Sequence, residues 1–93
     1  MRIGQPLVVR PTDPQDRQFE ETNTTRNVSR EGIYFISRVD SYYEGMRLFV
    51  TVPHHSPRAP QDREYLGQVA RVERLPDGQW GIAVQFLSGW SSR

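Results

Sequence analysis

The sequence contains no cysteine and no lysine, and it has no long apolar run. Without cysteine the chain can form no disulfide, no thiolate nucleophile and no zinc–thiolate site. No stretch approaches the roughly 18 apolar residues that a membrane helix needs, and the first residues lack the apolar segment of a secretion signal. These absences predict a cytoplasmic protein that does not insert into a membrane.

The charge is almost balanced. All twelve basic residues are arginine, and eleven acidic residues leave a formal net charge of +1. Such a balance provides no general field for a nucleic acid polymer or an anionic lipid surface. Arginine does supply planar guanidinium groups that pair well with phosphates and guanine edges. The composition therefore argues against broad polyanion binding and leaves a local arginine site open.

The length of 93 residues, with 35% hydrophobic residues, is typical of one small globular domain with a modest core. Short β-prone segments, separated by proline, glycine and asparagine, are predicted at residues 6–10, 22–29, 32–38, 47–53, 65–75 and 79–87. Six strands without a long helix predict an all-β domain, and closing the sheet into a barrel removes the unpaired strand edges.

Individual segments carry finer signals. Along residues 47–53 a strand would place Leu48, Val50 and Val52 on one face and Arg47, Phe49 and Thr51 on the other, which is typical of a half-buried strand. Residues 32–38 are apolar on both faces, which predicts a central strand buried on two sides. Pro76, Asp77 and Gly78 are typical of a hairpin turn between the last two strands. Residues 53–63 hold three prolines and two histidines and are predicted to form an exposed loop.

The turn before the third strand carries the most specific pattern. Asn27, Ser29 and Gly32 fit the sequence Asp or Asn, any residue, Ser, two of any residue, then Gly. This pattern resembles the second signature of the PilZ family. Four further stretches agree with that family in order, at residues 45–50, 67–72, 76–78 and 81–86. The chain therefore resembles a single PilZ-like domain over residues 1–93, with its core at about residues 6–87.

The resemblance implies a six-stranded antiparallel β-barrel. The C-terminal helix common in the family is expected to be absent or vestigial, because few residues follow the last strand. The resemblance also implies a non-catalytic regulatory module of bacterial signalling that binds cyclic di-GMP as a ligand, with no cofactor.

The residue types suit that ligand. Asn27 offers a donor and an acceptor, Ser29 offers a hydroxyl, and Gly32 lets the ligand approach the backbone. A structural interpretation stays open, in which Asn27 and Ser29 bond the backbone of their own turn and Gly32 supplies an unusual φ.

One family feature is missing. PilZ receptors also carry an Arg-x-x-x-Arg signature just before the first strand, and no such pair precedes Pro6. By spacing, Arg2 is a candidate for the second arginine of a motif whose first half lies outside this sequence. Arg26 and Arg30 have the spacing but straddle Asn27, so they do not fit. Losing one bidentate arginine contact weakens binding by about 1–3 kcal/mol, so we expect weak binding of cyclic di-GMP.

The alternative is a degenerate PilZ domain that does not bind the nucleotide and acts as an adaptor between proteins. The family suggests a protein partner of the motility, pilus or polysaccharide machinery. An adaptor is expected to expose aromatic side chains. The candidates are Tyr42, Tyr43, Phe49 and Trp90.

No group of residues predicts catalysis or a metal centre. His54 and His55 are adjacent, so in an extended segment their rings point apart and cannot share a metal. Four carboxylates are interpreted as a solvated face rather than as acid and base groups: Asp13, Asp16, Glu20 and Glu21. We expect a binding module and not an enzyme.

Overall fold

The computed structural model describes residues 4–52 and 63–88, with only the backbone of Arg63 and Ser88. They form six strands: β1 (Pro6–Pro11), β2 (Glu21–Val28), β3 (Gly32–Ser37), β4 (Arg47–Val52), β5 (Arg63–Arg74) and β6 (Trp80–Ser88). Each strand lies where one was predicted. The loop predicted at residues 53–63 lies outside the described residues except at its last position, Arg63, which begins β5 instead. Residues 89–93, at the position of the family's C-terminal helix, also lie outside the described residues.

The strands close into an antiparallel barrel in the order β1-β2-β3-β6-β5-β4, and β4 pairs with β1 to complete the ring. This confirms the predicted six-stranded antiparallel β-barrel. Within residues 4–52 and 63–88 there is no helix, and therefore none long and apolar enough to cross a membrane. Closure pairs every strand on both sides, which removes the exposed edges that invite association.

Alternate side chains along the strands fill the barrel interior, as the two-residue period of a strand requires. In β4, Leu48 and Val50 are fully buried, as the predicted alternation requires, while Val52 on the same face is half-buried. In β6, Ile82 and Val84 are buried. The other strands add further buried side chains: Leu7, Val9, Ile33, Phe35 and Val69.

The prediction that β3 is buried on both faces is wrong. Ile33, Phe35 and Ser37 face the interior, whereas Tyr34 and Ile36 on the other face are only half-buried. A closed barrel has one interior, so each strand has only one face that neighbouring strands can cover completely. The apolar outward side chains of β3 therefore belong to the outer surface.

A polar cluster joins β2 and β3 to the segment at residues 38–46. The Ser37 hydroxyl donates to the carboxylate oxygens of Glu21 at 2.8 and 2.9 Å. The Tyr42 hydroxyl donates to Glu21 Oε1 at 2.5 Å, and the Asn23 amide donates to Oε2 at 2.9 Å. Burial and then this bond to Glu21 raise the pKa of Tyr42. Glu21 is thus not part of a solvated face, which corrects that interpretation.

Candidate functional site

A shallow pocket of about 450 Å³ lies on the outer surface of the barrel, where the β2–β3 turn meets β6. Asn27, Ser29 and Gly32 all line it, so the structure brings these three predicted residues together. Arg2 lies outside the described residues. Sequence reasoning missed the rest of the lining: Glu31, Ile33, Tyr34, Ala70, Ala83, Val84 and Gln85.

Ser29 organises the β2–β3 turn. Its N–H donates to the Gly32 carbonyl at 2.9 Å, and its hydroxyl accepts the N–H of Glu31 at 3.2 Å. These are the turn bonds that the structural interpretation anticipated. The side chain is nevertheless exposed at the pocket wall. The hydroxyl also donates to the Gly32 carbonyl, at a long 3.5 Å, so its donor can turn to a ligand at little cost, and one acceptor position is unused.

Asn27 is placed at the pocket by a β-bulge. Thr25 pairs with Phe35 and Asn27 with Tyr34, so Arg26 is an extra residue in β2. Thr25 stays buried, while Arg26 and Asn27 both face outward. Among the described residues, no hydrogen bond involves the Asn27 amide, which leaves its donor and acceptor groups at the pocket wall.

Gly32 is required by the pairing of β3 with β6. A Cβ at this position would overlap the carbonyl oxygen of Val84 on β6. The glycines with positive φ in the described chain are Gly4, Gly45 and Gly78, so the suggestion that Gly32 supplies an unusual φ is wrong. Because the same backbone lines the pocket, Gly32 maintains the pocket wall whether or not a ligand contacts it.

The floor of the pocket consists of small side chains beside one aromatic ring. Tyr34 extends over Gly81, where a Cβ would overlap the tyrosine hydroxyl. Ala83 lies directly opposite Tyr34, and Ala70 of β5 completes the open area. The sequence signal for this surface is a pair of small residues at alternate outward positions of β6: Gly81 accommodates the Tyr34 ring, and Ala83 lines the pocket.

The charges around the pocket are mixed. Glu31 contributes a carboxylate, while Arg26 and Arg30 are exposed near the turn. Ion pairs within the described part of the chain involve other arginines: Arg10 with Glu64 at 3.2 Å, and Arg17 with Asp40 at 3.8 Å. An anionic ligand would therefore meet one adverse charge in the pocket.

The described N-terminal residues run beside β2. The Gly4 N–H donates to the Thr25 carbonyl at 2.8 Å, and the Thr25 N–H donates to the Gln5 carbonyl at 2.9 Å. A second pocket, of about 370 Å³, lies there between Gly4, Arg26 and Gln79. Gly4 thus lies beside Thr25, two residues before Asn27 on β2.

The aromatic residues expected of an adaptor divide into several groups. Tyr42 is 6% exposed, so its selection as a surface aromatic was wrong. Tyr43 is 48% exposed, and its hydroxyl donates to Asp16 at 2.7 Å. Phe49 is half-buried under the guanidinium of Arg10, 4.4 Å from the ring centroid. Trp90 lies outside the described residues, as do His54 and His55.

Within residues 4–52 and 63–88, no group of three or more histidine, aspartate or glutamate side chains is arranged to hold a metal ion. Comparison with protein families gives a match to the PilZ domain over residues 1–90. No curated protein and no solved structure matches the chain. The family match covers the whole barrel and the turn that carries Asn27, Ser29 and Gly32.

Proposed function

We propose, because the chain belongs to the PilZ domain family, that the pocket beside the β2–β3 turn binds cyclic di-GMP. Membership of this family makes the protein a regulatory module related to cyclic di-GMP signalling. In our proposal the dinucleotide is bound without chemical change and no cofactor takes part, so binding itself is the signal.

The convergence of Asn27, Ser29 and Gly32 on one pocket carries this proposal. Cyclic di-GMP presents anionic phosphate oxygens, planar guanine rings and polar guanine edges. The Asn27 amide and the Ser29 hydroxyl donate to phosphate oxygens. The alanines and Tyr34 supply the apolar surface that a planar base needs.

An N-terminal arginine is the second element of the proposal. Gly4 is held against Thr25, and Arg2 is close to Gly4 in sequence. We propose that Arg2 contributes a guanidinium to the bound phosphates or guanine. A complete Arg-x-x-x-Arg pair is not present before Pro6. The missing arginine contact is worth about 1–3 kcal/mol, which predicts weak affinity.

The test is a titration of cyclic di-GMP into isotopically labelled protein, with the backbone amide signals of Asn27, Ser29 and Gly32 as the readout. We expect saturable shifts at these amides, and weaker binding in Asn27→Ala and in Ser29→Ala. Ser41→Ala is the matched control, because Ser41 lies in the segment that the Glu21 cluster anchors and does not line the pocket.

Two results would contradict the proposal. Unchanged affinity in both pocket variants would exclude this pocket as the site. No shift up to millimolar ligand would exclude the receptor function and favour the adaptor alternative, in which a protein partner binds without the nucleotide. Among the described residues, exposed Tyr43 is then the first position to substitute.

A further inference from the structure

Four outward-facing residues form a row across four neighbouring strands, and the first three of them line the pocket. Asn27 of β2 lies opposite Tyr34 of β3, and Tyr34 lies opposite Ala83 of β6. Ala83 in turn lies opposite Arg71 of β5. Neighbouring strands are about 4.8 Å apart, so the row spans roughly 14 Å. Arg71 stands at the end of the row away from the β2–β3 turn.

A second β-bulge puts Arg71 in this row. Val69 pairs with Val84 and Arg71 with Ala83, so Ala70 is an extra residue in β5. The bulge lets Val69 and Val72 both pack toward the core, while Ala70 and Arg71 are both exposed.

Regular pairing would give a different result. If Ala70 paired with Ala83 in an unbroken ladder, Arg71 would lie opposite Ile82, which is fully buried, and its guanidinium would face the barrel interior. Burying that charge without a partner is strongly unfavourable. The two ends of the row, Asn27 and Arg71, are therefore both directed outward by bulges, a device that re-aims side chains near functional sites.

The two ends of the row differ in chemistry from its middle. The polar end holds the Asn27 amide and the Ser29 hydroxyl, which suit phosphate. The middle is small and apolar at Ala70 and Ala83, with the ring of Tyr34 beside them, which suits a planar base. A base placed there would direct one edge toward β5. Arg71 takes part in none of the ion pairs and side-chain hydrogen bonds found among the described residues.

We propose that Arg71 determines specificity for guanine by binding the O6 and N7 atoms of a base that lies over Ala83 beside Tyr34. This inference rests on the proposed function of the pocket. A guanidinium fork donates to both guanine acceptors at once, whereas adenine presents an amino donor in place of O6. The contact comes from the rigid barrel and does not depend on the N-terminal segment.

The experiment measures the affinities of the full chain for cyclic di-GMP and cyclic di-AMP by calorimetry. Arg71→Gln removes the charge and the fork, and Arg71→Lys keeps the charge alone. Arg74→Gln is the matched control: Arg74 is on the same strand but lies opposite Trp80, with its guanidinium 5.0 Å from the ring centroid. Backbone amide spectra of each variant verify the fold.

We expect Arg71→Gln to weaken cyclic di-GMP binding about tenfold to a hundredfold and to reduce the preference over cyclic di-AMP by a similar factor. Arg71→Lys should lose most of that preference, and Arg74→Gln should bind like the wild type. If the wild type binds and Arg71→Gln matches Arg74→Gln, this inference fails and the proposed function stands. Full preference in Arg71→Lys also overturns it. A wild type that binds neither ligand overturns the proposed function itself.

Discussion

Ser29 and Gly32 both maintain the local backbone, so any substitution at either position also disturbs the structure. Ser29 closes the β2–β3 turn, and Gly32 leaves room for the carbonyl of Val84. A loss of ligand binding after changing either residue therefore combines a lost contact with a changed backbone. The Asn27 side chain makes no hydrogen bond within the described residues, so its replacement reports the ligand contact more directly.

Glu31 places a carboxylate in a pocket that we assign to an anionic ligand. Removing this charge in Glu31→Gln should strengthen cyclic di-GMP binding by about 1.4-fold to fivefold, since exposed charge interactions are worth roughly 0.2–1 kcal/mol. The gain should shrink as salt rises, because salt screens exposed charges. Calorimetry at low and high ionic strength measures both effects.

Glu20→Gln is the control for that change. It removes an equal charge just before the start of β2. That position is roughly 23 Å along the strand from Asn27, given about 3.3 Å per residue. A gain of the same size in Glu20→Gln would show that the effect comes from net charge and not from the pocket.

At the scale of the elements, hydrogen bonds to Glu21 hold the segment at residues 38–46 against the barrel. Its Tyr42 packs edge to face on Phe35, with 5.7 Å between the ring centroids, and donates to Glu21. The backbone of the same segment joins β5 through the bond from Val69 N–H to the Met46 carbonyl, at 2.8 Å. The segment thus needs no regular secondary structure to be well anchored.

Tyr42→Phe should lower the free energy of unfolding at neutral pH by about 1–2 kcal/mol, because Glu21 loses one of its donors. The folded state raises the pKa of Tyr42 above its ordinary value of 10.0. Its contribution is therefore complete below about pH 10 and is lost as the pH rises further. Denaturant unfolding from pH 7 to pH 11 should show a smaller alkaline loss in the variant.

Tyr43→Phe is the control variant for the unfolding measurements on Tyr42→Phe. A hydrogen bond to Asp16 also raises the pKa of Tyr43, but this side chain is exposed. We expect little change in stability from its replacement. Equal effects in the two variants would contradict the anchoring role of Tyr42.

The strands were predictable because each carries its own signal, while contacts between distant segments were not. The alternation of β4 and the Pro-Asp-Gly turn are visible in a few residues. Glu21 meets Ser37 and Tyr42, which lie 16 and 21 positions away, so its burial has no local signature. The bulge at Ala70, in contrast, has a local signature in the sequence. Val69 and Val72 can both face inward only if the strand carries an extra residue between them. Asn27, Ser29 and Gly32 were selected through a family resemblance, and the pocket adds their neighbours on β5 and β6.

At the scale of the whole molecule, one core serves all six strands. Leu48 of β4 is fully buried, its strand pairs with β1 and β5, and Leu48 is not among the residues that line the pocket. We expect Leu48→Ala to lower the free energy of unfolding by about 2–5 kcal/mol, as large cavities in cores do. The amides of β1 and of β6 should lose their native signals at the same denaturant concentration, because a closed barrel unfolds as a unit.

Leu87→Ala gives the matched control. The same side chain is removed from the outer surface, where Leu87 is 40% exposed. We expect a change within about 0.5 kcal/mol. Separate midpoints for β1 and β6 in Leu48→Ala would contradict a single cooperative unit.

The position of β6 between β3 and β5 governs the order in which this chain can fold. All five other strands precede β6 in the sequence, yet the ring cannot close until β6 is in place. The ring also needs β1 to pair with β4, where Val9 lies opposite Val50. Both this pairing and that of β3 with β6 join strands that are far apart in sequence, so two long chain segments must close before most of the core is buried. Barrels with such distant pairings fold in roughly milliseconds to seconds. During synthesis on the ribosome, the edges of β3 and β5 therefore stay unpaired until the last strand emerges, and this interval is when the chain is most exposed to association with other chains.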